Sequence, residues 1–211
     1  FSVQDDFMYQ YALPILNERA GTGNPFFSVL LSISNHPPYV IPPYFHPHSD
    51  VLEEQIVEYA DWSIRQFMQA AEKQPWFDNT IFVFLGDHGK MVGTPECEMP
   101  QSYNHIPLMI YGKDIKPGVY DGFGGQVDVS PTLLGLLNIS YLQNNFGVNL
   151  LEEERPCMFF TADNLIGARD SVNMFIYSPD SQQEFRYTLK DSKLHAVDNG
   201  APFQDLKDYC F

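Results

Sequence analysis

The residues best suited to chemistry are Asp87 and His88, which stand side by side in Gly86-Asp-His-Gly89. A carboxylate oxygen beside a neutral imidazole nitrogen is a donor set for a divalent ion such as Mn²⁺ or Zn²⁺. Glycine on both flanks predicts a sharp turn, so that two neighbouring side chains face one point instead of opposite faces. A plainer reading stands beside this one. Asp87 caps the next element, and His88 is simply hydrogen-bonded. His105 lies seventeen residues beyond His88 (105 − 88). It either returns beside the pair as a further ligand or is an ordinary loop histidine. His46 and His48 read as solvated loop histidines, His195 as a structural strand residue, and Asp128 as a cap or turn residue.

Something must hold that pair in place. Ile81 to Leu85 is a run of β-formers, predicting a buried central strand whose carboxyl end presents Asp87 and His88. Ligands gather beyond such strand ends in open α/β sheets. A second buried strand is expected over Pro25–Ser34, ending in Ser34-Asn35-His36-Pro37-Pro38. Between the two, Val51 to about Lys73 has helical apolar spacing, with Ser49 or Asp50 as its N-cap. A helix between two strands is the crossover that parallel sheets need. An earlier helix with acidic Asp5 and Asp6 in its first turn runs to just before Gly21. Ile106–Tyr111 reads as a further short strand. Ser130-Pro131 reads as N-cap and first position of a buried helix reaching Leu137.

Beyond Phe146 the texture changes. Cys157–Thr161, Asn173–Tyr177, Glu184–Leu189 and Leu194–Val197 read as strands in hairpin order, closed by a helix from Pro202 to Tyr209. The expectation is an α/β fold with a mostly parallel sheet flanked by helices over residues 1–145. Residues 146–211 would form a small antiparallel subdomain of the same domain.

The 211 residues carry a net charge of −15 and are 44% hydrophobic, enough for a packed core. Such an acidic surface repels phosphate backbones and anionic lipid, which argues against nucleic-acid binding. No run of about eighteen apolar residues occurs. Cys97, Cys157 and Cys210 have no metal-ligand spacing, and three thiols allow at most one internal bridge. The chain opens on Phe1 without an initiating Met or a signal segment, so a fragment or processed product is expected.

Four stretches occur in one order: Pro25-Phe-Phe…Ser34-Asn-His36-Pro-Pro-Tyr39, Gly86-Asp-His-Gly89, His105-Ile-Pro-Leu-Met-Ile-Tyr-Gly112 and Val127-Asp-Val-Ser-Pro-Thr-Leu-Leu134. Together they resemble the sulfatase-like branch of the alkaline phosphatase superfamily, and within it the lipoteichoic acid synthase-like phosphoglycerol transferases. Ser2-Val-Gln-Asp-Asp-Phe7 also resembles a segment of that subgroup. The resemblance implies that Asp87 and His88 bind metal, Mn²⁺ first, with Zn²⁺, Mg²⁺ or Ca²⁺ as alternatives. It implies that His36 contacts the substrate, an anionic lipid- or glycan-linked phosphate or sulfate ester. It gives no role to His105. Family members also use an acidic metal ligand and a Thr or Ser nucleophile from an earlier half. No stretch here replaces them, and no cysteine stands in a Cys-x-Pro-x-Arg context. The chain is therefore expected to be the carboxyl-terminal part of an extracytoplasmic, membrane-anchored phosphoglycerol transferase. By itself it is expected to turn over little or nothing, and its partner would be the upstream half of the same polypeptide. Sulfate-ester hydrolysis, phosphodiester hydrolysis and a non-catalytic scaffold are the alternatives.

Overall fold

The computed structural model describes residues 3–91, 93–198 and 203–210. Their contacts divide into two compact units, one running up to Val83 with Ile110–Ile115 added, the other taking Phe84–Met109 and the chain from Lys116 onward.

In the first unit two helices pack together, α1 (Asp5–Gly21) and α2 (Leu52–Ala71). Ala12 and Leu16 of α1, and Ile56, Tyr59, Phe67 and Ala71 of α2, are buried, the helical spacing of an inward stripe. Tyr9 stacks on Phe67 with ring centroids 5.1 Å apart. Val51 is the N-cap of α2, and neither Ser49 nor Asp50 caps it. Instead the Ser49 hydroxyl accepts a hydrogen bond from Val51 N at 3.0 Å, one step outside the helix.

The acids of α1 do more than face a helix dipole. Asp5 and Asp6 are buried, at 2% and 6% exposure. Asp5 Oδ1 accepts from the backbone N–H groups of Ile33 and Ser34, both at 3.0 Å, while Asp5 N donates to Ser34 Oγ at 3.1 Å. Asp6 accepts from the hydroxyls of Tyr59 at 2.6 Å and Tyr44 at 2.8 Å. Burial, and then that carboxylate, raise the Tyr59 phenol far above its usual range.

The expected buried strand over 25–34 is not formed. That segment has no regular secondary structure and pairs with no described strand, and Phe27, Val29 and Leu31 are exposed by 85%, 71% and 75%. A strand exists only through a hydrogen-bonded neighbour, and no described segment supplies one. The mostly parallel sheet is corrected accordingly. Among the described residues the sheets are a pair, β1 (Phe82–Leu85) with β2 (Leu108–Tyr111), and a five-stranded antiparallel sheet. With one neighbour only, β1 is half-buried and not a buried central strand.

The second unit adds the short helix α3 (Gln101–Asn104) and α4 (Gln126–Leu136). It also holds the sheet β3 (Met158–Ala162), β4 (Leu165–Arg169), β5 (Asn173–Ser178), β6 (Gln183–Lys190) and β7 (Lys193–Ala196), in that spatial order, and the closing helix α5 (Gln204–Cys210). Four of these strands match the expected hairpins. β4 was not anticipated, because Gly167 and Ala168 weaken its strand signal. It forms through a two-residue turn in which Asp163 and Asn164 both have positive φ, 49° and 62°, aligning Ala162 with Leu165. Pro202, the expected start of the last helix, lies outside the described residues.

Alternation along β5 builds two cores. Met174 and Ile176 join Met99 and Tyr187 on one face of the sheet. Phe175 points the other way, into Cys157, Ala168, Phe203 and Leu206, where α5 covers it. No described helix is long and apolar enough to cross a membrane.

α4 begins five residues before the expected Pro131. Gly125 is its N-cap, and Asp128 Oδ2 accepts from Gly125 N at 2.8 Å, which makes Asp128 the capping residue. Asp128 is also fully buried and paired with Arg155, whose Nη2 lies 2.6 Å from Asp128 Oδ1. Its Oδ1 accepts from Val148 N as well, at 2.8 Å, so one carboxylate ties the helix start to residues 148 and 155.

Candidate metal and substrate site

At the end of β1 the backbone is held against the segment entering β2. Gly86 N donates to Pro107 O at 3.3 Å, and Gly89 N to Tyr103 O at 2.8 Å. Neither glycine has positive φ, so the turn does not need their conformational freedom. What it needs is their missing side chain. A Cβ on Gly89 would sit 2.1 Å from Ser102 O, and one on Gly86 would sit 3.3 Å from the Ile106 Cβ.

Between these anchors the two neighbouring side chains converge. Asp87 Oδ1 accepts from His88 N at 2.9 Å. His88 Nδ1 lies 2.7 Å from Gly89 O. A carbonyl only accepts, so Nδ1 carries the proton and Nε2 keeps its lone pair. Nε2 then lies 3.8 Å from Asp87 Oδ2, with 53% of the His88 side chain and 77% of the Asp87 side chain exposed. Tyr103 stacks on the imidazole at 5.4 Å and 21°, fixing the ring plane. A pinned Nδ1–H with an outward Nε2 is the arrangement metal-ligating histidines adopt.

The donor types fit a divalent ion that accepts mixed nitrogen and oxygen ligands, Mn²⁺ or Zn²⁺ better than Mg²⁺ or Ca²⁺. Their number falls short. Catalytic sites of this kind usually have three protein ligands, and no group of three or more His, Cys, Asp and Glu suited to a metal occurs among the described residues. His105 is exposed at the end of α3, where its N–H bonds Gln101 O at 2.8 Å.

His36 lies in the first unit. Its loop is hung from α1 through the Asp5 bonds to Ile33 and Ser34 and closed by His36 N on Ile33 O at 3.1 Å. Its Nδ1 lies 2.8 Å from Pro37 O, so this ring too keeps Nε2 as an acceptor. The side chain is exposed. Asp5→Ala should leave two backbone donors unpaired and cost about 1–3 kcal/mol in urea unfolding. An unchanged midpoint would show that the loop is held some other way. His46 is exposed. His48 is exposed too, and Glu58 accepts from its backbone N–H at 2.7 Å and approaches Nδ1 at 3.2 Å. Those bonds, that of the His48 N–H first, lower the Glu58 pKa.

Sequence reasoning passed over three residues: Asp5 as an anchor, Arg155 as the partner of Asp128, and Gln126. The amide of Gln126 donates to Gly86 O at 3.1 Å and to Asp87 O at 2.7 Å. No local pattern announces a bond spanning some forty residues.

Comparison with known proteins gives the fold and the relationship. The Sulfatase family model matches residues 2–139. Lipoteichoic acid synthase 1 of Bacillus subtilis (strain 168) is 25% identical over 194 residues, covering 77% of this chain and 29% of that protein. A solved protein of the alkaline phosphatase superfamily from Vibrio parahaemolyticus superposes with a TM-score of 0.85 at 24% identity, over 99% of this chain and 52% of that one. The lipoteichoic acid synthase LtaP from Listeria monocytogenes gives 0.78 at 22% identity, over 100% and 57%. The chain thus spans about half of these solved chains and under a third of the curated relative. The chain belongs to the Sulfatase family, with an alkaline phosphatase-superfamily fold.

Proposed function

We propose that this chain is the carboxyl-terminal catalytic part of a longer, metal-dependent enzyme that transfers phosphoglycerol from a lipid donor. The observation that carries the reading is the convergence of Asp87 Oδ2 and His88 Nε2 on one exposed point at a strand end. Likeness to a lipoteichoic acid synthase supports the choice of phosphodiester over sulfate ester. Mn²⁺ is the favoured ion. A divalent cation there supplies charge neutralisation at phosphorus and a lowered nucleophile pKa.

The chain's own residues then have separate tasks. Asp87 and His88 supply an oxygen and a nitrogen ligand. His36 offers an outward Nε2 to the substrate, and His105 stays a further candidate ligand. The nucleophile and the remaining acidic ligand come from the preceding half of the polypeptide. With a net charge of −15, the protein draws an anionic ester only through the cation or local donors. An extracytoplasmic, membrane-anchored location belongs to the same reading.

The test uses the full-length protein with Mn²⁺ and three substrates: a phosphatidylglycerol analogue, an aryl phosphodiester and an aryl sulfate. Turnover of the phosphatidylglycerol analogue, lost on chelation, is the expected result. Turnover of the sulfate alone would make it a sulfatase, and turnover of the aryl phosphodiester alone a phosphodiesterase. Absence of metal binding would leave a scaffold that kept the fold and lost the chemistry.

A further inference from the structure

Gln126 is exposed and opens α4, yet its side-chain amide donates to two carbonyls at the end of β1, those of Gly86 and Asp87. The second carbonyl matters most. It belongs to the peptide that joins Asp87 to His88. The N–H of that same peptide is taken by Asp87 Oδ1 at 2.9 Å. The single amide plane from which both donor side chains leave is therefore gripped at both ends, by Asp87 itself and by Gln126.

We infer that Gln126 is a positioning residue for the Asp87–His88 pair, fixing the peptide plane between them so that Oδ2 and Nε2 meet at one cation. This rests on the reading of that pair as metal ligands. The mechanical support is in place. Gln126 is the residue after the N-cap Gly125, and Gly125 N is held by the buried Asp128, itself locked by Arg155. The grip is thus anchored in the interior although the amide lies at the surface. A peptide free to rotate would swing the two side chains apart, because successive residues of an extended chain otherwise point to opposite sides.

The experiment compares wild type, Gln126→Met and Gln126→Ala in the full-length protein. Met keeps the length of Gln without the donors. Mn²⁺ affinity is measured by titration, with the electron paramagnetic resonance spectrum of the bound ion as a second signal. Both variants should bind Mn²⁺ about 10- to 100-fold more weakly, the loss typical of removing a residue that orients a ligand. They should also give an altered spectrum at an essentially unchanged melting temperature. If wild type binds and both variants bind equally well with the same spectrum, Gln126 is only a surface tie and the inference is overturned. If wild type takes no Mn²⁺, the metal reading falls and this inference with it.

Discussion

Asp87→Ala in the full-length protein is expected to abolish Mn²⁺-dependent turnover and to weaken Mn²⁺ binding by roughly 100-fold or more, beyond the loss caused by removing an orienting residue. Asp87 does two jobs at once. Its Oδ2 is an oxygen donor 3.8 Å from His88 Nε2. Its Oδ1 holds the His88 N–H, so its removal also loosens the imidazole's own backbone. His88→Ala should bring a similar loss, whereas His88→Gln should fall between, keeping a polar end without the imidazole lone pair. Both side chains are more than half exposed, so the folded state should be little affected, and a melting curve alongside the titration checks this. Retained turnover in Asp87→Ala would move the metal site elsewhere.

Arg155→Met is expected to cost about 3–5 kcal/mol in denaturant unfolding, toward the lower end of that range. Asp128 is fully buried, and the Arg155 side chain is only 13% exposed. Arg155 Nε and Nη2 reach both carboxylate oxygens, at 2.6–2.9 Å. Without the guanidinium a buried carboxylate keeps, among the described residues, the N–H groups of Gly125 and Val148. Those two bonds set the lower end of the range. Adding Asp128→Asn should return part of the loss, since no charge then stays buried. A loss under about 1 kcal/mol would place the pair among the weak surface bridges.

What could be read from the chain was local chemistry. Phe82–Leu85 is a compact run of β-formers with glycine behind it, and α2 has an unbroken apolar stripe. Asp-His between glycines announced two donors that converge. Non-local dependence hid the rest. Residues 25–34 have the composition of β1 but no partner strand among the described residues, so the same apolar signal produced no regular element. β4 has weak strand residues and exists because β3 and β5 flank it. At α4 the local Ser130-Pro131 signal lost to a longer-range network, since Asp128 holds Gly125 N and Arg155 holds Asp128. Proline still leaves a trace. At position 131 it removes the bond to the Val127 carbonyl, and Gly147 packs there so tightly that a Cβ would lie 2.0 Å from that oxygen. Asp5 and Gln126 act on backbone 28 and about 40 residues away, beyond any sequence window.

The unpaired segment carries a practical consequence. Between Phe26 and Ile33 only two serines interrupt the apolar residues, with no lysine, arginine or proline to discourage pairing. An apolar, unpaired segment of that kind can serve as a template for pairing with any similar segment, including one from another copy. Handled at high concentration without something laid along this edge, the chain should stick to itself and come out of solution as β-rich aggregate, despite a surface charge that would otherwise keep molecules apart.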